Sequence, residues 1–223
     1  SYTVYDLVDA AASKGIHCIA VTPHGRVFYD RQAQEYAAQK GVLLIFGIEK
    51  RVEGKEVLIL NVVPEEIPSP MTFADLRSLR LKRGGDILVV APHPFYPAKC
   101  CMGDLMETHA DLMDGIEYAH LHLPFYNPND RAVEWSIEKS KPILANSDTH
   151  HLFMFGRNYT EVDSPDFSIR SIFQAIRERK TRAIVHRPTF GELIRFVLQV
   201  TFFQGVVRKA LRSRRRLIQS AQI

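Results

Sequence analysis

Short apolar segments alternate with amphipathic segments along most of this chain, and the alternation restricts its possible folds more than any other feature. The apolar segments cover 16–21, 42–46, 55–63, 87–91, 115–119, 142–145 and 182–186, and the amphipathic ones 5–11, 31–40, 73–82, 129–140 and 169–179. Continuous apolar strands separated by helices indicate a parallel sheet that is buried on both faces. With about seven such units and no dinucleotide-type glycine loop, the pattern predicts an α/β barrel rather than an open sheet.

Length and composition are consistent with a globular protein. The 223 residues suffice for one large domain or two small ones. No stretch approaches about 18 uninterrupted apolar residues, and the first residues lack the pattern of a signal peptide. The three cysteines, of which Cys100 and Cys101 are adjacent, do not fit a disulfide framework. We therefore expect a cytoplasmic protein.

Potential metal ligands stand where the predicted strands end. They are His24, Glu49, His93, Asp148 and His150, with His120 and His122 just beyond a further strand. In parallel barrels the carboxyl ends of the strands meet on one face, where active sites are built. A lone histidine is more often structural than a ligand, but chance rarely repeats the same position strand after strand. The pattern predicts one shared pocket.

The residue types in this pocket indicate which metals it would bind. Imidazole and carboxylate groups without ordered cysteine spacing suit Zn²⁺, Mn²⁺ or Fe rather than a cysteine-based structural zinc. Cys100 and Cys101 are adjacent and cannot easily chelate one tetrahedral ion, so a loop or core position is the better interpretation. Histidines around a bridging carboxylate are typical of adjacent metals that hydrolyse phosphoesters.

Several motifs follow one another in the order found in polymerase-and-histidinol-phosphatase (PHP) domains. Thr22-Pro23-His24 resembles the Thr-Asp-His motif of that family, Gly47-Ile48-Glu49 its Gly-x-Glu motif, and Pro92-His93-Pro94 its His-Pro motif. Residues 115–120 resemble the strand that supplies a further His or Asn, and Asn146-Ser147-Asp148-Thr149-His150 resembles the closing Ser-Asp-x-His motif. Each match is weak alone, but in this order they resemble the family from the start of the chain to about residue 185.

This resemblance implies a fold and a ligand set. It implies a distorted, TIM-like (β/α)7 barrel with two or three metal ions and a metal-activated water as nucleophile. By analogy, Glu49 would bridge two metals and Asp148 would complete the first site. His93 with His120 or His122 would hold the second metal, and His24 with His150 the third. Arg157, just after the last motif, would either clamp a phosphate or be an exposed loop arginine.

The sequence departs from the family pattern in two places. The family opens with a His-x-His strand, and Ser1 stands where the residue just after that motif is expected. The first strand, with up to three ligands, is therefore expected to be missing from this sequence. Pro23 replaces the family's Asp, so a carboxylate that would support His24 is absent, and such losses cost about 10–100-fold in metal affinity or activity.

The C-terminal part differs from the rest in charge. Residues 1–169 carry 16 Lys and Arg against 23 Asp and Glu, whereas residues 170–223 carry 13 against 2. Residues 191–217 have the spacing of a basic amphipathic helix. We predict a barrel domain over 1–190 and this helix over 191–223. The helix would pack on the barrel or on a second subunit, or lie on an anionic membrane surface; nucleic acid is a less favoured partner.

Two functions remain open from the sequence. The first is a metal-dependent hydrolase of phosphoesters, small-molecule or nucleotide, in the cytoplasm or at a membrane surface. The second is a catalytically degenerate PHP domain that serves as a binding or regulatory module. Metal content and hydrolysis of generic phosphoesters would distinguish the two.

Overall fold

A curled sheet of six strands forms the centre of the structure, a computed structural model that describes residues 2–119, 127–150, 152–186 and 191. The strands of this sheet are β1 (Cys18–Val21), β2 (Leu43–Val52), β3 (Lys55–Leu60), β4 (Leu88–Ala91), β5 (Gly115–Tyr118) and β6 (Ile143–Ala145), in that order. A separate antiparallel pair follows, β7 (Tyr159–Val162) and β8 (Thr181–Ile184). The sheet forms a half-barrel, which is consistent with the predicted distorted barrel. The complete (β/α)7 form stays a prediction.

One strand of the sheet runs against the others, and for it the expectation of a parallel sheet is wrong. β3 is antiparallel to both β2 and β4, whereas the β1–β2, β4–β5 and β5–β6 pairs are parallel. Its direction follows from a two-residue turn, because Glu53 and Gly54 both have positive φ, 49° and 84°. Turns of that kind match the twist of antiparallel strands and close hairpins.

Helices cover the sheet where apolar residues face outwards. They are α1 (Val4–Ser13), α2 (Arg31–Gln39), α3 (Phe73–Arg83), α4 (Leu105–Thr108), α5 (Asn129–Glu138) and α6 (Ile169–Arg177). α1 begins at a capping box in which the Thr3 hydroxyl accepts from the Asp6 N–H while the Asp6 carboxylate accepts from the Thr3 N–H. Among the described residues, no helix combines the length and apolarity that crossing a bilayer requires.

Alternate residues of β4 belong to two different cores. Val89 and Ala91 pack with residues of α3 and α5, whereas Leu88 and Val90 pack with Phe173 of α6. Because successive side chains of a strand point to opposite faces, both faces of the sheet are covered. This explains why the strands read as continuous apolar segments.

The chain divides into two units, Ser1–His186 and Arg187–Ile223. All described residues except Gly191 belong to the first unit. The boundary expected at residue 190 and the amphipathic helix expected over 191–223 stay predictions, because almost all of that segment lies outside the described residues.

Candidate metal centre

His24 and Glu49 meet just past the paired part of two parallel neighbours: His24 follows β1, and Glu49 lies within β2, beyond the residues that pair with β1. The backbone joins them, because the Glu49 N–H donates to the Pro23 carbonyl (3.2 Å) and the Gly25 N–H donates to the Glu49 carbonyl (3.0 Å). His24 Nδ1 consequently lies 3.2 Å from Glu49 Oε2. The two predicted ligands are therefore brought together as the strand-end argument required.

The β2–β3 hairpin adds a carboxylate that sequence reasoning missed, that of Glu56. Arg51 pairs with Glu56 across the hairpin, which makes Glu56 a diagonal neighbour of Glu49 on the same face. Ligand atoms of His24, Glu49 and Glu56 all lie within 4.8 Å of one another. Glu56 Oε1 accepts from Arg51 Nη2 (3.3 Å), and Oε2 faces the ring of His93.

His93 follows β4 and is held from two sides. Its φ of 31° lies in the left-handed region, which is strained for a residue other than glycine. The Glu117 carboxylate accepts from the His93 backbone N–H (2.8 Å), and the Cys101 sulfur lies 3.2 Å from its Nδ1. The other ring nitrogen, Nε2, lies 3.7 Å from Glu49 Oε1 and 3.8 Å from Glu56 Oε2.

The separations between these donor atoms fit a divalent metal. Arms of about 2.0–2.1 Å in a tetrahedron imply donor atoms roughly 3.4 Å apart. The pairs formed by Glu49 with His24 and His93 are 3.2 Å and 3.7 Å apart, and the latter is too long for a hydrogen bond. The two imidazoles approach different oxygens of Glu49, the arrangement that a bridging carboxylate requires.

Asp148 and His150 follow β6 and are more exposed. Asp148 also has a left-handed φ, 39°, and its N–H donates to the side chain of Asn146 (3.2 Å). His150 Nδ1 lies 3.6 Å from Asp148 Oδ1, and the rings of His150 and His24 are 6.1 Å apart between centroids. The His24 and His150 side chains are 64% and 59% exposed, so this side of the group faces solvent.

The group carries more negative charge than its described cations balance. Complete burial raises the pKa of Glu117 to about 7, and the charge of Asp148 contributes to that rise. One oxygen of Glu117, Oε1, has no hydrogen-bond partner within the described part of the chain. Burial alone would lower the pKa of His93, but contacts with Cys101 and Glu49 outweigh it and raise that pKa to about 11. A surplus of buried carboxylates favours a bound cation.

For the other predicted site residues, the structure gives less information. His120 and His122 lie outside the described residues, so their assignment to the second metal stays a prediction. Arg157 lies in the turn after β6, where its N–H donates to the Met154 carbonyl (3.3 Å), and its role towards a phosphate also stays a prediction. Glu117 was missed although it is the charged residue of an otherwise apolar strand, which was the available signal.

Comparisons with known proteins support the same family. Residues 127–181 match the sequence profile of a family described as PHP-associated. No curated protein matches the sequence. A crystal structure from Bacteroides vulgatus, of a two-domain protein that contains a predicted PHP-like metal-dependent phosphoesterase, superposes with a TM-score of 0.65 at 22% identity over 83% of this chain. The match covers 61% of that protein, so this chain spans less than two thirds of its length.

Two further crystal structures share the fold. PsfC from Pseudomonas syringae has a TM-score of 0.62 at 18% identity, over 90% of this chain and 88% of that one. A protein from Bifidobacterium adolescentis described as a metal-dependent phosphoesterase has a TM-score of 0.50 at 16% identity, over 68% and 83%. At these identities the likeness concerns the fold. Together with the profile match, it confirms the resemblance to the PHP domain family that the order of the motifs predicts.

Proposed function

We propose that this protein is a metal-dependent hydrolase of phosphoesters. The observation that carries the proposal is the position of Glu49, whose two carboxylate oxygens each face a different imidazole, His24 and His93. The PHP-like phosphoesterases that share the fold support the reaction class. Zn²⁺, Mn²⁺ or Fe are the metals that suit histidine and carboxylate donors.

Each residue of the site has a proposed part. Glu49 would bridge two metals. His24 and Glu56, whose ligand atoms lie within 4.8 Å of that of Glu49, would hold one and His93 the other, while Asp148 and His150 would complete the set. When bound, a divalent metal would lower the pKa of water towards about 7 and so supply the nucleophile that attacks phosphorus. The exposed imidazoles of His24 and His150 leave an approach for a phosphoester, small-molecule or nucleotide, from the solvent side.

Metal content and hydrolysis test this proposal on the full-length protein. We expect two or three equivalents of Zn²⁺, Mn²⁺ or Fe by mass spectrometry, with hydrolysis of p-nitrophenyl phosphate or bis-p-nitrophenyl phosphate. Glu49→Gln and Asp148→Asn should remove both with little change in the circular dichroism spectrum. Glu65→Gln, at an exposed position away from the site, is the matched control and should keep both.

The alternative function predicts a different outcome. A catalytically degenerate PHP domain would bind a partner but neither take up metal nor hydrolyse either substrate. Pro23, which replaces the acidic residue of the family motif beside His24, is the feature that favours this alternative. Metal-free protein that Mn²⁺ or Zn²⁺ does not activate would exclude the hydrolase.

A further inference from the structure

The two ring nitrogens of His93 face different chemical groups. Nδ1 lies 3.2 Å from the sulfur of Cys101, and Nε2 faces the carboxylates of Glu49 and Glu56. An imidazole that binds a metal through one nitrogen commonly donates the N–H of the other to an acceptor, which fixes both tautomer and ring orientation. The sulfur of Cys101 stands where that acceptor is needed, and the Cys101 residue is only 3% exposed.

The loop that carries Cys101 is fixed to the same hairpin that supplies Glu56. The Glu56 N–H donates to the Cys100 carbonyl (2.7 Å). Lys55 Nζ donates to the carbonyls of Lys99 and Cys101, both at 2.9 Å. Three carbonyls in succession are tethered, one by the backbone of β3 and two by the Lys55 side chain, so the loop that carries the sulfur is held against the hairpin.

His93 is therefore restrained at two levels. Glu117 accepts from its backbone N–H and holds the strained left-handed conformation, while Cys101 contacts the ring. The hydrogen bond to the backbone fixes the position of Cα and Cβ, but it leaves the ring free to flip about the Cβ–Cγ bond. The contact with Cys101 decides which nitrogen is presented to Glu49 and Glu56.

We propose that Cys101 is a positioning residue that accepts the Nδ1–H of His93 and thereby presents Nε2 to the metal site. The inference rests on the proposed function, since it takes His93 as a metal ligand. It assigns to Cys101 a role beside the site and not within it: the sulfur contacts the ring of a ligand, and the metal is held by imidazole and carboxylate.

Metal affinity in cysteine variants of the full-length protein tests the proposal. Loss of a partner that orients a ligand weakens metal binding by about 10–100-fold. We expect a loss of that size in the Zn²⁺ dissociation constant of Cys101→Ala, measured by competition with a chromophoric chelator. Cys101→Ser, which keeps an acceptor, should recover most of the affinity. Cys18→Ala in β1 is the matched control and should leave it unchanged.

Nitrogen NMR of His93 gives a readout that a packing role would not change. In the wild-type protein with Zn²⁺, Nδ1 should carry the proton and Nε2 none, and Cys101→Ala with Zn²⁺ should lose that fixed assignment. In the metal-free protein, where both nitrogens can carry protons, the Nδ1 proton should exchange slowly with water, and Cys101→Ala should speed that exchange. An unprotonated Nδ1 in wild type, or equal Zn²⁺ affinity in Cys101→Ala, would overturn the proposal. A wild-type protein that binds no metal would instead refute the proposed function, while proton exchange at Nδ1 of the metal-free protein, compared with Cys101→Ala, would still test the contact with Cys101.

Discussion

Two buried acids three residues apart, Asp114 and Glu117, lie at opposite ends of β5 and have opposite surroundings. Asp114 accepts two hydrogen bonds from Arg80, two from Arg177 and one from the Val89 N–H. Glu117 accepts one, from the His93 N–H, and its other oxygen has no partner in the described part of the chain. Burial acts on both, yet hydrogen bonds from the arginines hold the pKa of Asp114 below its usual value, whereas that of Glu117 rises to about 7.

The difference separates an acid that stabilises the fold from one beside the proposed metal site. At the amino end of β5 the arginines fully neutralise the buried charge, so the cluster fastens α3 and α6 to the sheet. At the carboxyl end the acids outnumber the cations, which costs stability unless a cation binds. The stabilising end of β5 and the end beside the proposed metal site thus differ in charge balance, in line with the division between the two faces of barrel folds.

The largest effect on stability should come from removing the charge of the buried acids at the two ends of β5. Asp114→Asn leaves Arg80 and Arg177 without their carboxylate, and we expect it to reduce the free energy of unfolding by about 3 kcal/mol. Glu117→Gln should cost less than about 1 kcal/mol in metal-free protein, because an amide keeps the acceptor for His93. Urea unfolding in the presence of EDTA measures both. Equal losses would mean that the two acids are equally structural.

The pH dependence of stability should differ between the two ends. The pKa of Glu117 is raised in the folded state, so its contribution is fully present below about pH 4.5 and is lost as the pH rises through about 7. The metal-free protein should therefore lose up to about 3 kcal/mol between pH 5 and 8, since one pKa unit corresponds to about 1.4 kcal/mol. Asp114 has a lowered pKa, so its contribution is lost only as the pH falls below about 3.8.

Urea unfolding over this pH range, with EDTA, checks the prediction. Glu117→Gln removes this titrating group and should flatten the decline between pH 5 and 6.5; above about pH 6.5 the raised pKa of His93 adds a decline that the variant keeps. A variant that declines as steeply as wild type would show that another group is responsible.

Two glycines sharpen the comparison because Gly47, in the middle of β2, lies two residues before Glu49, whereas Gly115 begins β5 next to Asp114. A Cβ on Gly47 would lie 2.8 Å from Thr22 Cγ2 and 3.0 Å from the Ile59 carbonyl, and one on Gly115 would lie 3.1 Å from the Pro142 carbonyl. Overpacking of this kind costs about 1–3 kcal/mol, so thermal unfolding should show a loss in both alanine variants.

Zn²⁺ titration distinguishes the two variants. Gly47→Ala should weaken binding as well, because Gly47 packs against the segment that carries His24 to Glu49. Gly115→Ala, near Asp114, should bind Zn²⁺ like wild type once it is folded. Weakened binding in Gly115→Ala alone would contradict the assignment of the two ends.

The smallest effect should come from the exposed side of the site. His150 is mostly exposed and its ring lies 3.6 Å from one carboxylate oxygen, that of Asp148. We expect His150→Ala to raise the Zn²⁺ dissociation constant about fivefold, roughly 1 kcal/mol. Glu49→Gln, at the buried centre, should have a much larger effect in the same chelator competition. If His150→Ala matched it, the exposed side would contribute equally to binding.

Sequence patterns predicted most elements of the fold because continuous apolar segments report burial on both faces. They did not predict the direction of β3, although Glu53-Gly54 between two β-prone segments is a hairpin signal. The short strand Tyr159–Val162 was missed because its residues are only partly buried or exposed, so it lacks an apolar segment.

The same limits explain the site. His24 and His93 could be predicted since they follow strands whose ends converge, and Glu49 since it follows the apolar segment 42–46, although β2 itself continues to Val52. Glu56 could not, because it stands near the beginning of its strand, and only reversal of that strand brings its carboxylate to the shared edge. Cys101 contributes through a loop contact with His93, which no periodic pattern reports.

The reversed strand has a consequence for how the protein folds. Glu49 and Glu56 belong to one hairpin, and hairpins close in about 1–10 μs, before contacts between distant segments form. Their carboxylates, within 4.8 Å of each other, repel during that closure, while His24 and His93 must arrive through longer connections. A divalent cation present while the chain folds would offset this repulsion, so the ion that the site is proposed to hold would also accelerate formation of the hairpin that binds it.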